Sequence, residues 1–353
     1  MISGTIKTLV VDDSPFMRQL ISEILSSAPG IEVVGQAADP FEARALIKQL
    51  NPDVLTLDVE MPKMNGLKFL ENLMRLRPMP VVMVSTLTEV GASTTMEALA
   101  LGAVDFLPKP KVDVAKGLEA AAQELVEKVR GAAAAKVRAR THFAAPAAPA
   151  EAPRHAPKRK PSSRPRIVAI GASTGGTEAI REVLEGLWDG VAPVVIAQHI
   201  PAGFSAAFAR RLDTVTPLRA HEAADGELLA PGHAYVAPGD AHLRVEESGA
   251  GLRARLSHDE KVNRHRPSVD VLMHSVAKAA GPAAVGVILT GMGADGAAGL
   301  LAMHAAGAAT IAQDEATSLV YGMPREAALR GAAEVILPLG DIAAQLRAWV
   351  EGA

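Results

Sequence analysis

No cysteine occurs among the 353 residues. This excludes disulfides, thiolate metal centres and a thiol nucleophile, and it suits a cytoplasmic location. Aromatic residues make up only 3% of the chain, so its cores must be built from Val, Ile, Leu and Ala. The formal charge of −3 is too small for an electrostatic role of the whole protein. Uninterrupted apolar runs are also missing. The longest apolar stretch, Gly281 to Ala312, contains Asp295, His304 and eight glycines or prolines, the pattern of strand, turn and helix rather than of a membrane span. The N-terminus reaches Asp12-Asp13 too soon for a signal peptide. A soluble chain of this length is expected to hold about two domains.

What is present is a regular alternation. Lys7–Val11, Ile31–Gly35, Val54–Leu57, Val81–Val84 and Ala103–Leu107 are short apolar runs. Between and after them, Phe16–Leu25, Pro40–Leu50, Leu67–Leu76, Ser93–Leu101 and Ala115–Val129 have helical spacing. Five βα units predict an α/β domain with a doubly wound parallel sheet, whose sites form at the carboxyl ends of the strands. Asp12, Asp13, Asp58, Ser85, Thr86 and Lys109 stand at those ends. Three carboxylates at one edge repel one another unless a cation joins them, and oxygen-only ligands suit Mg2+. A hydroxyl and an ammonium facing that ion leave room for a phosphoryl group. Singly, these residues have simpler explanations: Asp13 and Ser14 as helix caps before Pro15, and Asp58 as the start of a turn.

The motifs VVDDS, LDVEMPKMNG, MVST and DFLPKP resemble the response-regulator receiver family in order and spacing from Thr5 to about Val129. The resemblance implies a flavodoxin-like fold and phosphorylation of Asp58 by a histidine kinase. It further implies Mg2+ held by Asp12, Asp13 and Asp58, with Ser85, Phe106 and Lys109 as the switch residues.

Residues 131–165 change character, with alanine and six prolines dominating and no hydrophobic period. An extended linker is predicted between domains at 1–130 and 166–353. Counted to Arg166, the stretch has nine lysines and arginines against one acid, Glu151, a net charge of +8. A nucleic-acid arm and a solubilising spacer both fit that charge. With Phe143 the only aromatic there, the spacer is preferred and no nucleic-acid partner is expected.

The second half is organised around RIVAIGASTGG, Arg166 to Gly176. A β-branched strand that breaks at G-x-S-x-G and feeds a helix is a nucleophile elbow, with Ser173 exposed beside helix-start amides. The alternation then resumes, with strands at Val194–Ala197, Ala284–Leu289, Ala309–Ala312 and Glu334–Leu337. Between them, His221 to His258 reads as shorter strands and turns. A serine needs a base, and a histidine base needs a carboxylate to orient it. Ser173, His199 and Asp295 each follow a buried strand, so parallel neighbours would bring them to one sheet edge. His304 is too far along the same helical segment from Asp295 to serve. His221, His233, His242 and His258 are expected at the surface. So is His265, although with Arg264 it could line a cleft. Backbone amides near Thr174 and around Gly291–Gly293 are candidates for an oxyanion hole.

IGASTGG, AQHIPAGF, HRPSVDVL, LTGMGADG and YGMPREA, following a receiver-like half, resemble the chemotaxis protein-glutamate methylesterase family across both domains. The resemblance implies a second, Rossmann-like three-layer α/β domain that acts as a serine esterase on glutamyl methyl esters of methyl-accepting chemotaxis receptors, releasing methanol. It also implies deamidation of receptor glutamines, an oxyanion amide from Met292, no cofactor for the esterase, no membrane insertion, and a receiver that blocks the cleft until Asp58 is phosphorylated.

Overall fold

The computed structural model describes residues 4–61, 65–86, 88–109, 115–137 and 166–351. The chain divides into two compact units, Met1–His142 and Phe143–Ala353. The expected linker lies outside the described residues beyond position 137.

In the first unit, strands β1 (Ile6–Val11), β2 (Ile31–Ala37), β3 (Val54–Asp58), β4 (Val81–Ser85) and β5 (Asp105–Pro108) alternate with helices. These are α1 (Pro15–Ser26), α2 (Pro40–Leu50), α3 (Gly66–Leu76), α4 (Glu89–Leu101) and α5 (Ala115–Ala133). The strands pair in parallel in the order β2-β1-β3-β4-β5. Every residue of β3 and β4 is buried, as a central parallel strand covered on both faces requires. Helix starts are chemically marked: the Ser14 hydroxyl accepts from Met17 N–H ahead of Pro15, and the Asp39 carboxylate accepts from Phe41 and Glu42 N–H ahead of Pro40. The closing helix runs past the expected boundary at residue 130. Gly131 and Ala132 are buried, and this burial carries the helix to Ala133.

In the second unit, β6 (Ile167–Ala172), α6 (Gly176–Glu185), β7 (Val194–Gln198) and α7 (Ser205–Val215) lead into β8 (Arg219–Glu222) and β9 (His233–Val236). The hairpin β10 (His242–Ser248) and β11 (Gly251–Ser257) precedes α8 (Val269–Ala280), β12 (Ala284–Ile288) and α9 (Ala297–Ala305). Then come β13 (Ala309–Gln313), α10 (Met323–Leu329), β14 (Val335–Leu337) and α11 (Leu339–Glu351). A seven-stranded parallel sheet has the order β14-β13-β12-β6-β7-β9-β8. Helices α8, α9 and α10 pack together, and α11 and α7 pack on α6, which gives the three-layer arrangement. Gly171 permits the approach of α8: a Cβ there would lie 2.1 Å from Val269 Cγ1.

Strand order reverses direction between β1 and β3 in the first sheet and between β6 and β12 in the second. Open α/β sheets form crevices at such points, beyond the carboxyl ends of the strands. Asp12 and Asp13 follow β1 and Asp58 ends β3, while Ser173 follows β6 and Asp295 lies beyond β12. No helix among the described residues is long and apolar enough to cross a membrane.

Candidate active site and acidic cluster

Three adjacent strands deliver the second unit's polar side chains. The Ser173 N–H donates to the Thr290 carbonyl at 3.0 Å and the His199 N–H to the Ala172 carbonyl at 3.1 Å, so the ends of β12, β6 and β7 are spliced together. The Gln198 carboxamide donates to the Ser173 carbonyl at 2.9 Å and to the His199 carbonyl at 3.2 Å. Gly175, in the left-handed region at φ 76°, turns the chain into α6.

His199 Nδ1 lies 3.1 Å from Ser173 Oγ, and His199 Nε2 lies 2.8 Å from Asp295 Oδ2. An ionised carboxylate only accepts, so Nε2 carries the proton and Nδ1 is left to accept from the serine hydroxyl. That tautomer is the one a general base needs. Asp295 is 3% exposed. Burial alone would raise its pKa, but hydrogen bonds from His199, Asn263 and Ser268 overcome this and hold it far below the ordinary carboxylate range. Oδ2 also accepts from Val269 N–H at 2.6 Å, and Oδ1 accepts from Ser268 Oγ at 2.8 Å and Asn263 Nδ2 at 2.7 Å. The carboxylate thus sits at the start of α8, where amides and helix dipole favour an anion.

Of the expected oxyanion groups, the Gly291 amide is excluded, because it donates to the Val320 carbonyl at 3.0 Å. The loop after β12 is pinned there against the segment before α10. Met292, next in the chain, is 38% exposed. Thr174 is buried, and its carbonyl accepts from Thr290 Oγ1 at 3.0 Å.

His242 contradicts the surface expectation, and half-buried His265 follows its cleft-lining alternative. His242 is fully buried: its Nε2 donates to the Glu260 carbonyl at 3.0 Å, and its Nδ1 accepts from Ser268 N–H at 3.2 Å. This imidazole ties the segment before α8 to β10. His265 stacks on the His199 ring at 3.6 Å between centroids and 12° between planes. Neither residue has a strand-end position to mark it in the sequence, and only the HRPSVDVL motif covers His265.

In the first unit, carboxylate oxygens of Asp12, Asp13 and Asp58 lie within 4.8 Å of one another. Asp12 and Asp58 are buried and Asp13 is exposed. Lys109 Nζ is 2.8 Å from Asp58 Oδ2 and 3.1 Å from Asp12 Oδ2. One ammonium thus serves both buried carboxylates, and it is the one cation paired with Asp12 Oδ2 among the described residues. Three clustered carboxylates with a single ammonium between two of them are a donor set that a hard cation would satisfy. Burial pushes the Asp58 pKa up to about 6, with the Asp12 charge adding and Lys109 opposing. Ser85 ends β4, fully buried, with its Oγ 3.3 Å from the Gly91 carbonyl. Phe106 is buried in β5, and Lys109 N–H donates to the Ser85 carbonyl at 2.8 Å.

Residues 168–346 match the CheB methylesterase family and residues 8–127 the response regulator receiver domain. The chain belongs to the CheB methylesterase family. A protein-glutamate methylesterase/protein-glutamine glutaminase 1 of Xanthomonas campestris pv. campestris is 56% identical over 344 residues, 97% of this chain and 96% of that one. A protein-glutamate methylesterase/protein-glutamine glutaminase of Nitrosomonas europaea is 53% identical, covering 99% and 97%. The crystal structure of the Thermotoga maritima CheB methylesterase catalytic domain superposes with a TM-score of 0.51 at 37% identity, covering 54% of this chain and 99% of that one. The methylesterase domain therefore coincides with the seven-stranded unit, and the receiver domain with the five-stranded one.

Proposed function

We propose that this chain is a phosphorylation-activated protein-glutamate methylesterase and protein-glutamine glutaminase acting on methyl-accepting chemotaxis receptors. The observation that carries this reading is the continuous Ser173–His199–Asp295 hydrogen-bond chain at 3.1 and 2.8 Å. His199 Nδ1 takes the Ser173 proton as Oγ attacks the glutamyl ester carbonyl, and Asp295 stabilises the imidazolium that forms. The tetrahedral oxyanion is received by backbone amides, with those of Thr174 and Met292 assigned here. His199 returns its proton to the departing methoxide, methanol leaves, and a glutamyl-Ser173 ester remains. Water, deprotonated by His199, then attacks this ester and frees the glutamate carboxylate and the serine. With a receptor glutamine, ammonia leaves in place of methanol.

In the receiver domain, Asp58 accepts the phosphoryl group from a histidine kinase of the chemotaxis system, and Lys109 holds the resulting charge. Asp12, Asp13 and Asp58 would hold Mg2+, which when bound supplies charge neutralisation at the phosphoryl oxygens. Ser85 and Phe106 carry the change outward as switch residues.

The test is methanol release from methylated receptors in membranes, with and without a small-molecule phosphodonor. The full-length chain should release methanol faster with the phosphodonor, and Asp58→Asn should remove only that increment. Methanol release undiminished in Ser173→Ala would refute the esterase assignment.

A further inference from the structure

The segment between the β10–β11 hairpin and α8 contains a two-residue turn. Val262 N–H donates to the His265 carbonyl at 3.1 Å and His265 N–H to the Val262 carbonyl at 2.9 Å. Asn263 and Arg264 both have positive φ, 52° and 69°, as a type I′ turn requires. Asparagine tolerates that backbone better than most residues. The turn aims the Asn263 carboxamide at two carboxylates: Nδ2 lies 2.7 Å from Asp295 Oδ1 and 2.7 Å from Asp270 Oδ2.

Both acids are buried, and Asp270 is anchored independently. Its Oδ1 accepts from Gly299 N–H at 2.6 Å, in the first turn of α9. Carboxylate oxygens offer only lone pairs, so the NH2 end of Asn263 must face both, one hydrogen to each. The reverse orientation would set oxygen against oxygen twice. Asn263 is therefore a neutral bridge whose orientation is dictated from both sides. Neutrality matters chemically. A cation at this point would compensate the Asp295 charge that the imidazolium of His199 needs, whereas an amide fixes the carboxylate and leaves most of its charge in place.

We infer that Asn263 is a positioning residue for the esterase reaction, fixing Asp295 through a bridge to Asp270 and the start of α9. The inference rests on the proposed Ser173–His199–Asp295 mechanism.

The test uses the full-length chain with phosphodonor and methylated receptors. Asn263→Gly removes the amide while easing the left-handed turn, so turn strain cannot account for its effect. We expect kcat to fall about 10- to 100-fold with KM within about twofold. The acid limb of kcat/KM against pH should move to higher pH, because Asp295 with one donor fewer holds the imidazolium more strongly. Asn263→Asp, isosteric and tolerant of the same turn, should move that limb further in the same direction. A wild-type kcat in Asn263→Gly, or a reduced kcat with an unmoved acid limb in both variants, would overturn the inference. So would loss of a cooperative thermal transition of the methylesterase domain in both, which would make Asn263 structural. Ser173→Ala run beside them separates the two levels. Methanol release surviving there removes the mechanism itself, whereas silence there with normal Asn263 variants removes only the positioning role.

Discussion

Asp58 and Asp295 are the same residue type at the carboxyl edges of two sheets of similar design, and their environments drive them in opposite directions. Asp58 ends β3 and Asp295 lies in the loop after β12, strands that flank the reversal of strand order, and each is almost fully buried, 1% and 3% exposed. Asp58 has Lys109, which it shares with Asp12, and one backbone N–H from Glu60 at 3.2 Å. Its pKa rises to about 6. Asp295 has His199, Asn263, Ser268 and the amides that open α8, and its pKa falls. Burial raises both, so the donors aimed at each, together with the neighbouring charge (Asp12 beside Asp58, His199 beside Asp295), decide the sign. In the proposed roles, an under-satisfied carboxylate suits a residue that is to gain a cation and a phosphoryl group. A saturated one suits a residue whose single task is to remain charged beside an imidazole.

The sharpest way to break the comparison is to silence one edge and examine the other. Ser173→Ala should lower methanol release by about 10^4-fold or more while phosphorylation of Asp58, followed with a radiolabelled phosphodonor, continues. Asp295→Asn should cost about 10^3- to 10^4-fold in kcat by reversing the tautomer preference of His199. An activity loss of only a few fold would mean that the saturated carboxylate is not part of the machinery.

The contrast in pKa has a thermal counterpart. The Asp58 pKa is raised above its ordinary 3.8, so the native receiver domain is favoured by protonation. That stability is fully present below about pH 4 and lost as pH rises through about 6. With Mg2+ chelated, Asp58→Asn should therefore stabilise the receiver transition at pH 7.5 by up to about 3 kcal/mol, with the gain shrinking to nothing near pH 4. For Asp295 the sign is opposite. Its depressed pKa contributes stability that is present above the unfolded value of 3.8 and lost only in stronger acid, so Asp295→Asn should destabilise at neutral pH. Calorimetric scans at several pH values would check both signs. The smallest effect belongs to His265→Ala, where losing one ring stack should lower kcat by about two- to tenfold, measured by methanol release.

Much of this was legible in the chain. β-branched runs ending in Asp, Ser or Gly located the sheet edges, because a central parallel strand must be apolar throughout and its polar neighbours can only follow it. That rule predicts the convergence of Ser173, His199 and Asp295, and the adjacent β12, β6 and β7 bring the three side chains together. The supports around Asp295 were not legible. The turn at Asn263-Arg264 lacks the glycine that usually marks a type I′ turn. His242 is a polar residue buried by tertiary packing, with both ring nitrogens satisfied by backbone groups 18 and 26 residues away, and no local pattern encodes such pairings. The engagement of the Gly291 amide is hidden for a similar reason, since its acceptor, Val320, belongs to a loop 29 residues further on.

The buried His242 imidazole gives the enzyme a particular weakness. It fastens the strap from Glu260 to Ser268 onto the β10–β11 hairpin, and that strap supplies the hydroxyl and the carboxamide that grip Asp295. On the proposed mechanism, loosening of this strap would disarm Ser173 while the seven-stranded sheet remained intact. Heating or mild denaturant should extinguish hydrolysis ahead of any loss of bulk secondary structure.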